Sequence, residues 1–187
     1  MTGSPRGSTR LTSVRPGHCW RNTPEDSVNR MEEAHAAENT DENQDSSEAY
    51  VNRNPKATPD EVRLGTFLQH CAVAGRLLGV KAVEGAPEVP GQRSGDYRFI
   101  LDDGRVLSAD LYQPVSANTR SIVAHVMQKS GQATVVVLEL GRGNSDRIGV
   151  REATHMVQEV LDTPGHTINR MLVIRHDVIL VDSSRPG

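Results

Sequence analysis

The sequence lacks the features that mark disulfide-rich, membrane or conventionally secreted proteins. It has only two cysteines, Cys19 and Cys71, which exclude a disulfide framework and a cysteine-based zinc site. No apolar run is long enough to cross a membrane, so we expect no membrane partner. The N-terminus carries arginines but lacks the apolar segment of a secretory signal peptide. If the chain leaves its cell, we expect a non-classical route to carry it.

The first third of the chain is poor in apolar residues, and its charges are unevenly placed. Residues 1–21 hold four arginines and no acid, whereas residues 24–49 hold nine acids and one arginine. Such a segment cannot bury enough apolar surface to offset the entropy lost on ordering. We therefore predict a disordered, acidic leader over residues 1–57 and a folded domain over residues 58–187.

The predicted domain carries almost no net charge. From residue 58 onward there are 15 acids and 14 bases. A near-neutral domain gives no global sign of nucleic-acid binding, which usually requires a basic surface. Any surface that binds nucleic acid must therefore be local.

Helical and strand patterns alternate along the domain. Thr58, Pro59 and Glu61 form a helix start with an N-cap, a first-position proline and an acid in the first turn, and Gly79 is the expected end. The later patterns predict a mixed central α/β sheet flanked by helices. They comprise strands at 80–84, 97–101, 105–112, 134–140, 171–174 and 178–181, and helices at 114–131 and 151–161.

The most informative segment is a predicted hairpin with its turn at residues 102–104. A two-residue loop would place Asp96 opposite Leu111. A three-residue loop, with Gly104 in the left-handed conformation, places Asp96 opposite Asp110. A shift of one residue in the pairing moves every side chain of a strand to the opposite face of the sheet. Only the three-residue loop places the apolar side chains on one face and the polar ones on the other. We therefore predict the three-residue loop.

Two aspartates opposite each other on a sheet face are unusual, because like charges repel. A bound cation reverses that repulsion, so Asp96 and Asp110 are candidate ligands for Mg²⁺ or another divalent cation. In the following helix, Lys129 extends the buried stripe of Ile122 and Val126 and is expected to reach the same region. Two carboxylates and a lysine are the components that a metal-dependent nuclease needs.

Structural interpretations of these residues stay open. Asp110 fits a solvated sheet face, and Asp96 fits a turn at the start of a strand. Lys129 would also stabilise the helix dipole from its C-terminal position. Gln132 is more typical of a structural role and Tyr112 of packing. The histidines share no spacing that makes a site, and we assign structural roles to His125, His155, His166 and His176.

Several short motifs together resemble a family of bacterial toxins. The motifs are Gly95-Asp96-Tyr97, Asp103-Gly104, Ala-Asp-Leu-Tyr-Gln-Pro at 109–114, Asn118, Ile122, Lys129, Gln132-Ala133 and the strand at 135–140. In order and spacing they are similar to the CdiA-type C-terminal tRNase domain of contact-dependent growth inhibition systems. The resemblance covers roughly residues 60–182. That family is a branch of the PD-(D/E)xK restriction-endonuclease-like superfamily.

The resemblance implies a restriction-endonuclease-like core and an endoribonuclease toxin that cleaves tRNA in the cytoplasm. It implies Asp96, Asp110, Lys129 and Gln132 as catalytic residues, with the two aspartates as ligands of Mg²⁺ or another divalent cation. It also implies a cognate immunity protein as a partner.

The chain departs from the family pattern at two places. Tyr112 stands two residues after the acid, where this fold usually has its lysine, so the lysine must come from the helix. Many relatives also carry a glutamate on the first helix where this chain has Gln69 and His70, while Glu61 lies well upstream.

These departures leave three alternatives open. The domain could be a DNA endonuclease of the same fold. It could instead be a catalytically inactive relative that binds nucleic acid or a protein. For an RNA substrate, metal-free cleavage through the ribose 2′-hydroxyl would make Asp110 a general base rather than a metal ligand.

Overall fold

The computed structural model describes residues 49–89 and 94–185, which contain a six-stranded mixed sheet with helices on both faces. The strands lie in the sheet in chain order, with the third, fourth and fifth strands parallel to one another and the outer pairs antiparallel. The predicted mixed α/β class is confirmed. Within these residues, no helix has the length and apolar character needed to cross a membrane. The elements are α1 (Pro59–Val73), β1 (Val80–Gly85), β2 (Tyr97–Leu101), β3 (Val106–Tyr112), α2 (Thr119–Gln128), β4 (Val135–Leu140), a 3-10 helix (Gly143–Arg147), α3 (Val150–Asp162), β5 (Arg170–Arg175) and β6 (Val178–Ser184).

The first helix begins where its sequence pattern predicts. The Glu61 amide donates to the Thr58 hydroxyl, and the Thr58 amide donates to the Glu61 carboxylate at 2.6 Å, which makes a capping box. The predicted end at Gly79 is wrong, because α1 stops at Val73. Gly75 and Gly79 both have left-handed backbone, with φ of +66° and +70°, so the chain turns here before it enters β1.

The hairpin of β2 and β3 has the predicted three-residue loop. The Leu101 amide donates to the Arg105 carbonyl at 2.8 Å, and Tyr97 pairs with Ala109. Gly104 has a φ of +83°, the left-handed conformation that this loop requires. Continued by one residue, the register places Asp96 opposite Asp110, as predicted.

The central strand β4 is buried at all six positions, which confirms the prediction of a strand covered on both faces. One face of the sheet packs against α1, where Val135 and Val137 join the apolar side of the hairpin. The opposite face packs against α2 and α3 through Val136 and Leu138. Because Asp110 pairs with Val136 in parallel register, its side chain lies on the α2 face.

Residues 49–57, which the sequence analysis assigns to the leader, contact the domain. Val51 forms a bridge to Glu84 of β1, and the Gly85 amide donates to the Val51 carbonyl at 2.9 Å. Arg53 binds the Glu84 carboxylate at 2.8 Å, and Tyr50 lies so close to Gly65 of α1 that a Cβ there would overlap its ring. The rest of the predicted leader, residues 1–48, lies outside the described residues.

Candidate active site

The candidate site lies where β2 and β3 separate. β2 begins at Tyr97, so Leu111 of β3 has no backbone partner from that strand. The Asp96 carboxylate takes this place and accepts the Leu111 amide hydrogen at 2.7 Å. Asp96 is therefore held beside Asp110 by the edge of β3 itself.

The lysine arrives from the end of α2. Asn118 is the N-cap of that helix, and its side chain accepts the Ser121 amide hydrogen at 3.1 Å. Lys129 is its C-cap residue, and its ammonium group donates to Asp110 Oδ2 at 2.7 Å. Only 9 % of the Asp110 side chain and 25 % of the Lys129 side chain is exposed, so water screens this ion pair weakly. The structure thus brings Asp96, Asp110 and Lys129 together.

The proton affinity of Asp96 is abnormal. The pKa of Asp96 is raised to about 7, first because burial removes solvent from the carboxylate and then because its protonated form hydrogen-bonds to Asp110. The charges of Asp110 and Glu61 raise this pKa further, while the hydrogen bond from the Leu111 amide opposes the shift. Near neutral pH the Asp96 carboxyl group is therefore partly protonated, in the place where a cation could bind.

Gln132 is joined to the site through its backbone. Its amide donates to the Lys129 carbonyl at 3.0 Å, and its carbonyl accepts the Ser108 hydroxyl hydrogen at 3.2 Å. These bonds fix the turn after α2 against β3. No described residue forms a hydrogen bond with the Gln132 side-chain amide, so the side chain is not committed to the fold.

The first helix places Glu61, rather than Gln69 or His70, near the aspartates. The Gln69 side chain is buried and accepts the Val83 amide hydrogen at 2.7 Å, next to the bulge of β1. His70 is exposed. Glu61 contributes to the raised pKa of Asp96, so its carboxylate acts electrostatically on the pair while also capping α1.

An aromatic pair adjoins the aspartates and the lysine. The rings of Tyr112 and His125 are stacked, with centroids 5.7 Å apart and planes at 17°. Tyr112 follows Asp110 by two residues on the same face of β3, and His125 precedes Lys129 by one helical turn. The sequence patterns predict a packing role for Tyr112 and a structural role for His125. The spacing of two residues from Asp110 on a strand and of four residues from Lys129 on a helix was the signal that could have predicted their contact.

A buried glutamate was also missed. Glu139 lies near the end of β4 on the α1 face and is 6 % exposed. Arg63 of α1 and the Gln113 amide donate to its two carboxylate oxygens, and the group borders a cleft of about 390 Å³. The signal was a charged residue inside an otherwise apolar run, since a buried charge needs partners.

The fit of the aspartate pair to a divalent cation can be judged from its donor atoms. Among the described residues, no group of three or more His, Cys, Asp or Glu side chains is arranged to hold a metal. Asp96 and Asp110 supply two hard carboxylates, and Mg²⁺ is commonly held by one or two carboxylates with water and phosphate completing its shell. The residues therefore fit a cation that binds together with a phosphate-bearing substrate.

No protein-family model matches the chain, and no solved structure matches it significantly.

Proposed function

We propose that this chain is a metal-dependent endoribonuclease that cleaves tRNA, with Asp96, Asp110 and Lys129 at its centre. The observation that carries the proposal is the meeting of Asp96, whose pKa is raised to about 7, with Asp110, whose carboxylate lies 2.7 Å from the Lys129 ammonium group. Strongly perturbed carboxyl groups with a specific charge partner are typical of functional sites. The sequence motifs support the further proposals of a contact-dependent toxin, a restriction-endonuclease-like core and a cognate immunity protein.

Each residue has a role in the proposed reaction. Asp96 and Asp110 would hold the divalent cation, which would position the scissile phosphate beside them. A bound cation of this kind supplies charge neutralisation and a more acidic water. Lys129 remains beside Asp110 and stabilises negative charge that develops on the phosphate. Gln132 orients the phosphate through its side-chain amide.

A catalytically inactive binding module is the second candidate, and one observation favours it. Relatives often carry a glutamate on the first helix, but here Gln69 is used to bind the Val83 amide of β1. If that glutamate is required for the chemistry, the site would bind nucleic acid or a protein without cleaving. A DNA endonuclease differs from the main proposal only in its substrate.

Cleavage of total bacterial tRNA by the full chain tests the proposal. The wild type is compared with Asp110→Ala in Mg²⁺ and in chelator. Asp102→Ala is the matched control, because this exposed aspartate lies in the turn at the other end of the same hairpin. We expect discrete tRNA fragments from the wild type and the control, and none from Asp110→Ala.

The other outcomes separate the alternatives. Fragments that persist in chelator would keep the ribonuclease and reject the metal. The same proteins are also incubated with duplex and single-stranded DNA. Cleaved DNA with intact tRNA would indicate a DNA endonuclease. Intact RNA and DNA in every lane would leave the inactive module.

A further inference from the structure

The stack of Tyr112 and His125 presents an aromatic ring at the surface beside the candidate active site. Tyr112 is half-buried against the apolar core between the sheet and α2, while His125 is exposed. His125 therefore lies over the tyrosine ring with a large part of its own surface open to solvent. An exposed ring supported from below is the arrangement on which nucleobases stack.

The orientation of the imidazole is fixed. His125 Nδ1 lies 2.8 Å from the Ser121 carbonyl oxygen, which only accepts, so Nδ1 must donate. This hydrogen bond and the stack on Tyr112 together hold the imidazole ring in one orientation. A ring that is ordered before binding loses little conformational entropy when a base covers it.

The distance to the site suits one nucleotide. Tyr112 and Asp110 are alternate residues of a strand, so their Cα atoms are roughly 7 Å apart. His125 and Lys129 are one helical turn apart, at about 6 Å between Cβ atoms. A phosphate held at Asp110 and Lys129 would thus place the base of the same or the next nucleotide beside the His125 ring.

We propose that the His125 ring, supported by Tyr112, stacks on an unpaired base of RNA next to the scissile phosphate. The inference rests on the proposed nuclease function and narrows its substrate to a single-stranded segment of RNA, because paired bases hide their faces in the duplex. It also provides a source of RNA affinity other than charge for a domain with 15 acids and 14 bases from residue 58 onward. Such a domain gains little affinity from phosphate charge alone, and base stacking supplies affinity that does not depend on net charge.

Binding of labelled RNA by full-length Asp110→Asn protein, in which cleavage is blocked, tests the proposal. We expect single-stranded RNA to bind more tightly than the same sequence in a duplex. In this background His125→Ala should weaken single-stranded binding by roughly 5- to 150-fold, the effect of losing one base stack. His125→Phe should retain most of the affinity, because a benzene ring also stacks. His155→Ala, at an exposed histidine of α3, should bind like the parent.

An oligonucleotide with an abasic nucleotide moved along the strand provides the reciprocal experiment. One abasic position should weaken binding as much as His125→Ala does, and the two changes together should cost no more than either alone. That result would place one base on this ring.

Three results would overturn the proposal. Equal loss in His125→Phe and His125→Ala would mean that a ring nitrogen, rather than the ring face, binds the substrate. Equal affinity for duplex and single-stranded RNA, or no RNA binding at all, would also reject it. Ring-dependent binding together with intact tRNA in the wild-type cleavage assay would reject the nuclease and retain the stacking site.

Discussion

Two carboxylate clusters near the carboxyl ends of the parallel strands differ in how their charges are matched. On the α1 face, both oxygens of Glu139 accept hydrogen bonds, one from Arg63 and one from Gln113. On the α2 face, Lys129 donates to Asp110, whereas Asp96 accepts the Leu111 amide hydrogen and has a pKa raised to about 7. Removing a matched buried carboxylate leaves its partners unpaired and destabilises a fold, whereas a carboxyl group with a raised pKa beside a second carboxylate is typical of functional sites.

The strongest way to test this contrast is by activity. We expect Asp110→Asn to lower kcat/KM for tRNA cleavage by at least about 1000-fold, or about 4 kcal/mol in the transition state. The substitution keeps the shape of the side chain but removes a charge that faces both the cation site and Lys129. Glu139→Gln should change kcat/KM only a few-fold. Comparable losses in both variants would show that the two clusters do not differ in function.

Metal binding should also distinguish the clusters. At a Mg²⁺ concentration about 100 times its Kd, the folded state gains about 2.7 kcal/mol, which raises the Tm by roughly 5–10 °C. We expect this rise, measured by thermal melting and reversed by chelator, in the wild type and in Glu139→Gln. It should vanish when Asp96 and Asp110 are both replaced by asparagine. A rise that survives the double substitution would place the metal elsewhere.

For stability we expect the opposite order, with a larger loss from the Glu139 cluster than from the aspartate pair. Glu139→Ala removes the shared acceptor of Arg63 and Gln113 from a buried position, and we expect it to lower the free energy of unfolding by about 2 kcal/mol. Urea denaturation in chelator measures this loss. Asp96→Asn should not destabilise the protein under the same conditions at pH 8. A destabilised Asp96 variant would mean that this carboxylate is mainly structural.

The smallest expected effect is a pH dependence of stability. The pKa of Asp96 is raised to about 7 in the folded state, so the folded protein holds its proton when the unfolded chain has already lost it. Stability from this group is complete below the ordinary aspartate pKa of about 4 and is lost as the pH rises towards 7. Because the side chain is partly exposed, we expect a loss of only about 1 kcal/mol.

Urea denaturation of metal-free protein at pH 4.5 and pH 8 measures this slope, which is the change in the free energy of unfolding with pH. Asp96→Asn should remove it and leave the variant about 1 kcal/mol more stable than the wild type at pH 8. The Asp102→Ala control should keep the wild-type slope. An unchanged slope in Asp96→Asn would assign the pH dependence to another group.

Local patterns were sufficient for much of the framework. The start of α1 was predictable because the capping box involves residues three apart, and the hairpin register because its turn and its side-chain alternation lie within 17 residues. The opposition of Asp96 and Asp110 follows from that register alone. The end of α1 could not be predicted from the sequence, because Gly75 and Gly79 can each end a helix. In the structure α1 ends next to Gly75, not at Gly79.

What the sequence by itself determined is therefore the elements, the hairpin register and the facing aspartates, since each depends on short-range periodicity. Tertiary structure decided which partners these groups meet. Lys129 reaches Asp110 because α2 packs across the face that carries it, and Arg63 meets Glu139 across 76 residues of chain. The Tyr112–His125 stack and the burial of Gln69 depend in the same way on packing between elements. Periodicity shows which face a side chain occupies, but only the packing of one face on another shows what it touches.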